Sequence, residues 1–143
     1  MSTVQTILDR KGSKVLAVHP GITVYSAACL MNEKRIGGLV VLEDNVIAGV
    51  FTERDILKRV VGVGMDPAYT TVREVMTTPV CTCSPDMPID ELVEVMTQRR
   101  MRHIPVVRDG FLCGIVTSGD IFVQQLLESK AELTYLHAYM YGT

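Results

Sequence analysis

The chain has 143 residues, enough for one compact body, with a formal net charge of −2 and no long run of one sign. The basic footprint of a nucleic-acid partner is missing, no apolar run approaches the roughly 20 residues of a membrane span, and the N-terminus lacks an apolar signal core. The expected setting is the cytoplasm. Hydrophobic residues make up 48% of the chain and the mean hydropathy is +0.25. That is more apolar surface than one small monomer hides, so a homodimer is expected.

Residues 3–11 read as a short helical arm ending near Gly12. A strand is expected at 14–18, stopped by His19-Pro20-Gly21, with His19 a surface residue. Thr23 has the character of an N-cap for a helix through about Asn32, with Val24, Ala27, Ala28 and Met31 at helical spacing. Gly37-Gly38 breaks that pattern. A hairpin follows, strand 39–42, turn 43–45 and strand 46–51, and then a helix over 53–61. Residues 62–71 form a linker, and a short helix at 72–76 leads into a second round. There a strand (80–83), helix (89–97), strand (104–107), turn (108–110), strand (111–116) and helix (118–127) repeat the order. The last helix is expected to continue, or restart, through 128–141, where Leu133, Leu136, His137 and Met140 fall on one face, suited to packing on the body or on a partner subunit.

The recurrence has a fixed spacing. Val15, Pro20, Met31, Val41, Asp44, Gly49, Thr52, Asp55 and Ile56 return 65 positions later, without a gap, as Val80, Pro85, Met96, Val106, Asp109, Gly114, Thr117, Asp120 and Ile121. A conserved internal period fixes architecture before any single element does. The fold class is therefore α/β (α+β), two strand-helix-strand-strand-helix units packed with pseudo-two-fold symmetry. The division is an arm (1–13), a first repeat (14–61), a linker (62–71), a second repeat (72–127) and a helical extension (128–143). Two units of about 60 residues are each marginal alone, so each is expected to bury an apolar face against the other.

Four cysteines, Cys29, Cys81, Cys83 and Cys113, form no disulfide framework. Cys81 and Cys83 would share one face of a strand, and with no second Cys/His pair at zinc spacing they read as apolar thiols, with no metal site. The methionines at helical spacing read as core filler.

The element with most chemistry is Gly49-Val50-Phe51-Thr52-Glu53-Arg54-Asp55 and its copy, Gly114 to Asp120. A strand ends, a hydroxyl residue opens a helix and a carboxylate follows three positions on. This is close to a capping box, and an acid in a first helical turn also complements the dipole. The same geometry suits a nucleotide: free amides and the Thr hydroxyl for phosphate, a carboxylate for ribose hydroxyls. The two roles are compatible.

The doubled Gly-h-h-Thr-x-x-Asp element (h apolar), the Pro-containing turn after the first strand, the hairpin, and Arg99-Arg100-Met101-Arg102-His103-Ile104-Pro105-Val106-Val107 together resemble a tandem cystathionine-β-synthase (CBS) domain pair, over about residues 12–127. The tail is similar to the helical extension of stand-alone bacterial pairs. The resemblance implies clefts between the repeats that bind adenosine-containing ligands (AMP, ADP, ATP, sometimes NAD or S-adenosylmethionine), and disc-like dimers. It implies ribose contacts from Asp55 and Asp120, phosphate-side hydroxyls from Thr52 and Thr117, and a polar contact from Thr82. Ile104 and Pro105 would line the base, with Arg102 and the pH-sensitive His103 reaching phosphate. Ala17 stands where Thr82 stands in the second repeat, and Gly37, Gly38 and Val40 where Arg102, His103 and Pro105 stand. The clefts are thus unequal, with the Asp120 cleft expected to be the better binder.

No nucleophile–base pair, metal cluster or phosphate loop points to catalysis. The reading is a non-catalytic regulatory module that takes an adenine nucleotide and signals to a partner protein. The alternatives are a structural dimerisation module in which Thr-x-x-Asp is only a cap, and a thiol or metal switch through Cys81 and Cys83.

Overall fold

The computed structural model describes residues 2–141. Its elements are helix α1 (Val4–Lys11), strand β1 (Ala17–Val18), helix α2 (Val24–Lys34), strands β2 (Gly38–Glu43) and β3 (Val46–Thr52), and helix α3 (Glu53–Asp55). A π-helical turn (Ile56–Val60) and a 3₁₀ turn (Val61–Val63) continue α3. Helix α4 (Val72–Val75), helix α5 (Ile89–Arg99), strands β4 (His103–Arg108) and β5 (Phe111–Thr117) and helix α6 (Ser118–Tyr141) complete the chain. The mixed α/β architecture and both hairpins follow the sequence reading.

The repeat extends to details of backbone geometry. Each hairpin turns through two residues with positive φ, Asp44 and Asn45 in one and Asp109 and Gly110 in the other, as the twist of a two-residue loop requires. Each carries a register shift at the same place, after Val41 in β2 and after Val106 in β4. Helices α2 and α5 both end on a left-handed arginine, Arg35 (φ 55°) and Arg100 (φ 53°), 65 positions apart. Thr23 caps α2 by accepting from the Ser26 amide, as its sequence position indicates.

One expectation needs correction. The strand expected at 80–83 is reduced to one bridge, Cys83 beside Val106. Its counterpart β1 is only two residues long and pairs in parallel with β2. Pro79 and Pro85 lack the amide hydrogens that would extend a ladder beyond this stretch. The last helix continues beyond Leu127 rather than restarting: α6 runs unbroken to Tyr141, since nothing in Glu128–Tyr141 breaks a helix. Within this chain the tail face is not covered, because Leu133, Leu136 and Met140 are exposed.

The leading segments cross between the two cores. One core is built by Val24, Ala27, Met31, Leu39, Val41, Phe51 and Val60, together with Val72 and Val75 of α4. The other gathers Leu92, Met96, Ile104, Val106, Val116 and Ile121, together with Val4, Ile7 and Leu8 of α1. The helix that precedes each repeat thus packs on the other one. The bonds that hold them are duplicated. Val72 and Arg73 donate to the carbonyls of Ile22 and Pro20 (both 2.9 Å), while Val4 and Gln5 donate to those of Met87 and Pro85 (2.9 and 2.7 Å). In return Val24 donates to Thr70 (2.8 Å) and Ile89 to Ser2 (3.1 Å).

Gly49 and Gly114 provide the room for this exchange. A Cβ on Gly49 would lie 2.6 Å from Met76 Sδ, and one on Gly114 would lie 2.7 Å from Leu8 Cδ2. The glycine in each copy of the motif is therefore where the exchanged segment seats.

An arm that is part of a core has a measurable consequence. Ile7→Ala is expected to destabilise the whole protein in urea unfolding by about 2–5 kcal/mol, as a core truncation does. A change below about 0.5 kcal/mol would mean that the arm is a detachable appendage.

Candidate functional site

A cleft of about 890 Å³ opens between the two units. One wall is the β3–α3 corner, with Thr52, Glu53, Arg54 and Asp55, continuing to Leu57 and Lys58. The opposite wall is the α5–β4 corner from Met96 to His103, with Ser118. Thr77 and Pro79–Cys81, on the segment that follows α4, line it too.

Of the residues singled out from sequence, Thr52, Asp55, Arg102 and His103 meet in this cleft. Ile104 and Pro105 do not: both are buried, and the Pro105 carbonyl already accepts from Cys83 N at 3.0 Å. Thr82 is exposed on a segment with no strand to orient it. Thr117 and Asp120 lie at the other helix start, outside this lining. The open cleft is therefore at Asp55 rather than at Asp120.

Both Thr-x-x-Asp elements are capping boxes. Thr52 N donates to Asp55 Oδ2 (3.0 Å) and Asp55 N to Thr52 Oγ1 (3.4 Å); Thr117 N donates to Asp120 Oδ2 (2.9 Å) and Asp120 N to Thr117 Oγ1 (3.1 Å). Asp55 is buried, and its other oxygen accepts from Thr77 Oγ1 at 2.8 Å, with Arg59 Nε at 3.8 Å. Asp120 meets a closer cation, Lys11 Nζ at 2.6 Å. Thr77 and Lys11 both come from the exchanged segments, and neither was legible as a site residue, because only the tertiary crossing brings them to the aspartates.

The first amide of each helix start, expected to greet phosphate, is in use. Glu53 N donates to Gly37 O and Ser118 N to Arg102 O, both at 3.0 Å. These two bonds again sit 65 positions apart and tie each helix start to the opposite side of its own hairpin. Charge for an anion comes instead from side chains. Arg54, Lys58, Arg99, Arg100 and Arg102 line the cleft against Glu53 and Asp55, so exposed cations outnumber carboxylates around it.

His103 sits on the pseudo-dyad. Its ring lies against Gly38, where a Cβ would come within 2.8 Å of His103 Cδ2. Gly38 and His103 are themselves repeat equivalents, so at the symmetry axis one position holds a ring and the other holds none. Burial lowers the His103 pKa; Glu53 and Asp120 pull it back up, while Arg102 and Lys11 press it further down.

The thiols divide between two environments. Cys83 is in the second core and burial pushes its thiol up to about 12, which leaves it protonated and unreactive. Cys81 lines the cleft. They do not share a face, because the strand that would align them is absent. Among the described residues, no three or more His, Cys, Asp or Glu are placed to hold a metal ion, and no helix there is long and apolar enough to cross a membrane.

Against known proteins, the CBS-domain family model matches twice, over residues 7–62 and 72–125. The chain belongs to the CBS domain family, as a tandem pair. It is 34% identical over 128 residues to the CBS domain-containing protein YhcV of Bacillus subtilis, covering 90% of this chain and 91% of that one. Among solved structures, a putative signal-transduction protein with CBS domains from Burkholderia ambifaria superposes with a TM-score of 0.86 at 38% identity, covering 88% of this chain and 95% of that one. The CBS domain pair of protein MJ0100, solved with 5-methylthioadenosine and S-adenosyl-L-methionine, superposes with a TM-score of 0.76 at 27% identity, covering 91% of this chain and 98% of that one.

The buried imidazole gives a pH test of the dyad. A base whose folded pKa lies below its ordinary value of 6.5 resists protonation in the fold and takes it up on unfolding. Its full contribution is therefore present above pH 6.5 and is lost as pH falls from there through the lowered folded value. In urea unfolding, the stability difference between wild type and His103→Gln should shrink across that window. A difference independent of pH would mean that the imidazole is not desolvated at the dyad.

Proposed function

We propose that the chain is a non-catalytic regulatory module that takes an adenosine-containing ligand, AMP, ADP or ATP, in the Asp55 cleft and passes its occupancy to a partner protein. The observation that carries this reading is the cleft itself: about 890 Å³, walled by both units and lined by five Arg and Lys side chains. Its volume falls in the range of small-molecule sites. A ligand that spans it touches both repeats and biases their relative placement, which is how occupancy becomes a signal.

The excess of cations selects among ligands. With the Glu53 and Asp55 amides already bonded, phosphate would be met chiefly by guanidinium and ammonium groups, Arg102 foremost, whose bonds to phosphate are charge-assisted. The bound adenosyl compounds of MJ0100 support the adenosine part of the reading; the phosphate part rests on this chain's own arginines. Asp55 would offer ribose only an oxygen it already shares with Thr77 or Thr52. For that reason Asp55→Ala is a poor probe of binding, because it also strips two bonds from Thr52 and one from the part-buried Thr77.

A second reading, a structural pairing module without nucleotide, is favoured by the completeness of those caps. Calorimetric titration of nucleotide-stripped protein with AMP, ADP, ATP, NADH and S-adenosylmethionine separates the two. The expected result is saturable binding of the phosphate-bearing ligands, weakened about tenfold or more by Arg102→Ala with no change in thermal stability. No heat from any ligand, in folded protein, would establish the structural reading instead.

A further inference from the structure

The repeat predicts a second cleft, and the structure shows its remnant. A smaller cavity of about 480 Å³ is lined by Met31, Asn32, Arg35, Ile36, Gly37 and Glu53. Each stands 65 positions before a residue that lines the large cleft: Met96, Thr97, Arg100, Met101, Arg102 and Ser118. One wall of the second site is thus in place. The other wall, at Thr117 and Asp120, does not contribute to this cavity.

What occupies Asp120 is the last turn of the arm. Lys11 Nζ donates to Asp120 Oδ2 at 2.6 Å and to the Ile115 carbonyl at 2.9 Å, with the side chains of Lys11 and Asp120 only 24% and 19% exposed. Arg10 adds a bond from Nη2 to the Asp120 carbonyl (3.2 Å) and one from Nε to Gln124 Oε1 (3.3 Å). In the open cleft the corresponding partner of the aspartate is the short, neutral Thr77. Arg59 also lies 3.8 Å from Asp55, one turn further along the same helix, but the hydroxyl delivered by the crossing segment takes little space and carries no charge. An ammonium on a four-carbon stem fills the space and neutralises the charge.

We propose that Lys11 is a latch that closes the second half-site over Asp120, so that each chain presents one open adenosine cleft until the end of α1 is released. This rests on the adenosine reading of the Asp55 cleft. The latch makes the arm a second point of control: whatever pulls the end of α1 away frees Asp120 and unclamps the start of α6 in one movement.

Two measurements on the full chain test it. Treatment of ligand-free protein with a carbodiimide, which joins a carboxylate directly to an amine in contact with it, should yield a Lys11–Asp120 cross-link, located by mass spectrometry. Calorimetry with ADP should give one site per chain in wild type and in Lys11→Arg, and two in Lys11→Met. Lys11 sits at a helix end, so neither variant threatens the fold. Two sites in wild type, or one in Lys11→Met, would overturn the latch. If no variant takes up ADP, the adenosine reading fails by itself, and the cross-link decides the latch alone: its presence upholds closure of Asp120, its absence overturns it.

Discussion

The exchange of leading segments governs everything else in this molecule. Helix α1 closes the core of the second repeat and α4 closes that of the first, through duplicated backbone bonds from Val4, Gln5, Val72 and Arg73. Neither repeat has a complete core of its own, so the two are bound to fold together. A unit of about 60 residues buries too little surface to stand alone, and sharing segments turns two marginal cores into one cooperative body. The crossing also delivers Thr77 to Asp55 and Lys11 to Asp120, so the same constraint that stabilises the fold sets the character of both half-sites.

Symmetry in the scaffold and asymmetry in the sites are both products of the repeat. The hairpins, bulges, left-handed arginine caps and capping boxes are duplicated because they carry the backbone, where each copy faces the same demand. Side chains at the interface are freed from that demand. At the dyad two equivalent positions compete for one space, and His103 against Gly38 resolves the conflict. Around the clefts, Arg102 replaces Gly37 and the second repeat supplies most of the basic groups. These groups serve the Asp55 cleft, which belongs to the opposite repeat's helix start.

Much of this was legible in the sequence. The 65-residue period, the two hairpins with their turn residues, the Thr23 cap and the Thr-x-x-Asp boxes all express local physics, and each is found in the structure. Thr52, Asp55, Arg102 and His103 line one cleft. What could not be read was non-local. Nothing in Val4–Lys11 or Val72–Val75 tells which repeat they will cover, since an amphipathic turn suits either. The advantage expected for Asp120 counted the residues of its own repeat and missed Lys11 from the arm. The first amides expected for phosphate were engaged by Gly37 and Arg102 carbonyls, a pairing set by how each hairpin meets its helix rather than by the motif itself.

The central claim is that an adenosine ligand lies in the Asp55 cleft, against residues of both repeats. Photo-cross-linking with 8-azido-ADP, followed by mapping of the labelled peptides, tests it most directly. The account predicts label on 77–81 and 96–103, removed by competing ADP. Competable label confined to 31–37 and the arm would place the ligand at Asp120 and contradict it.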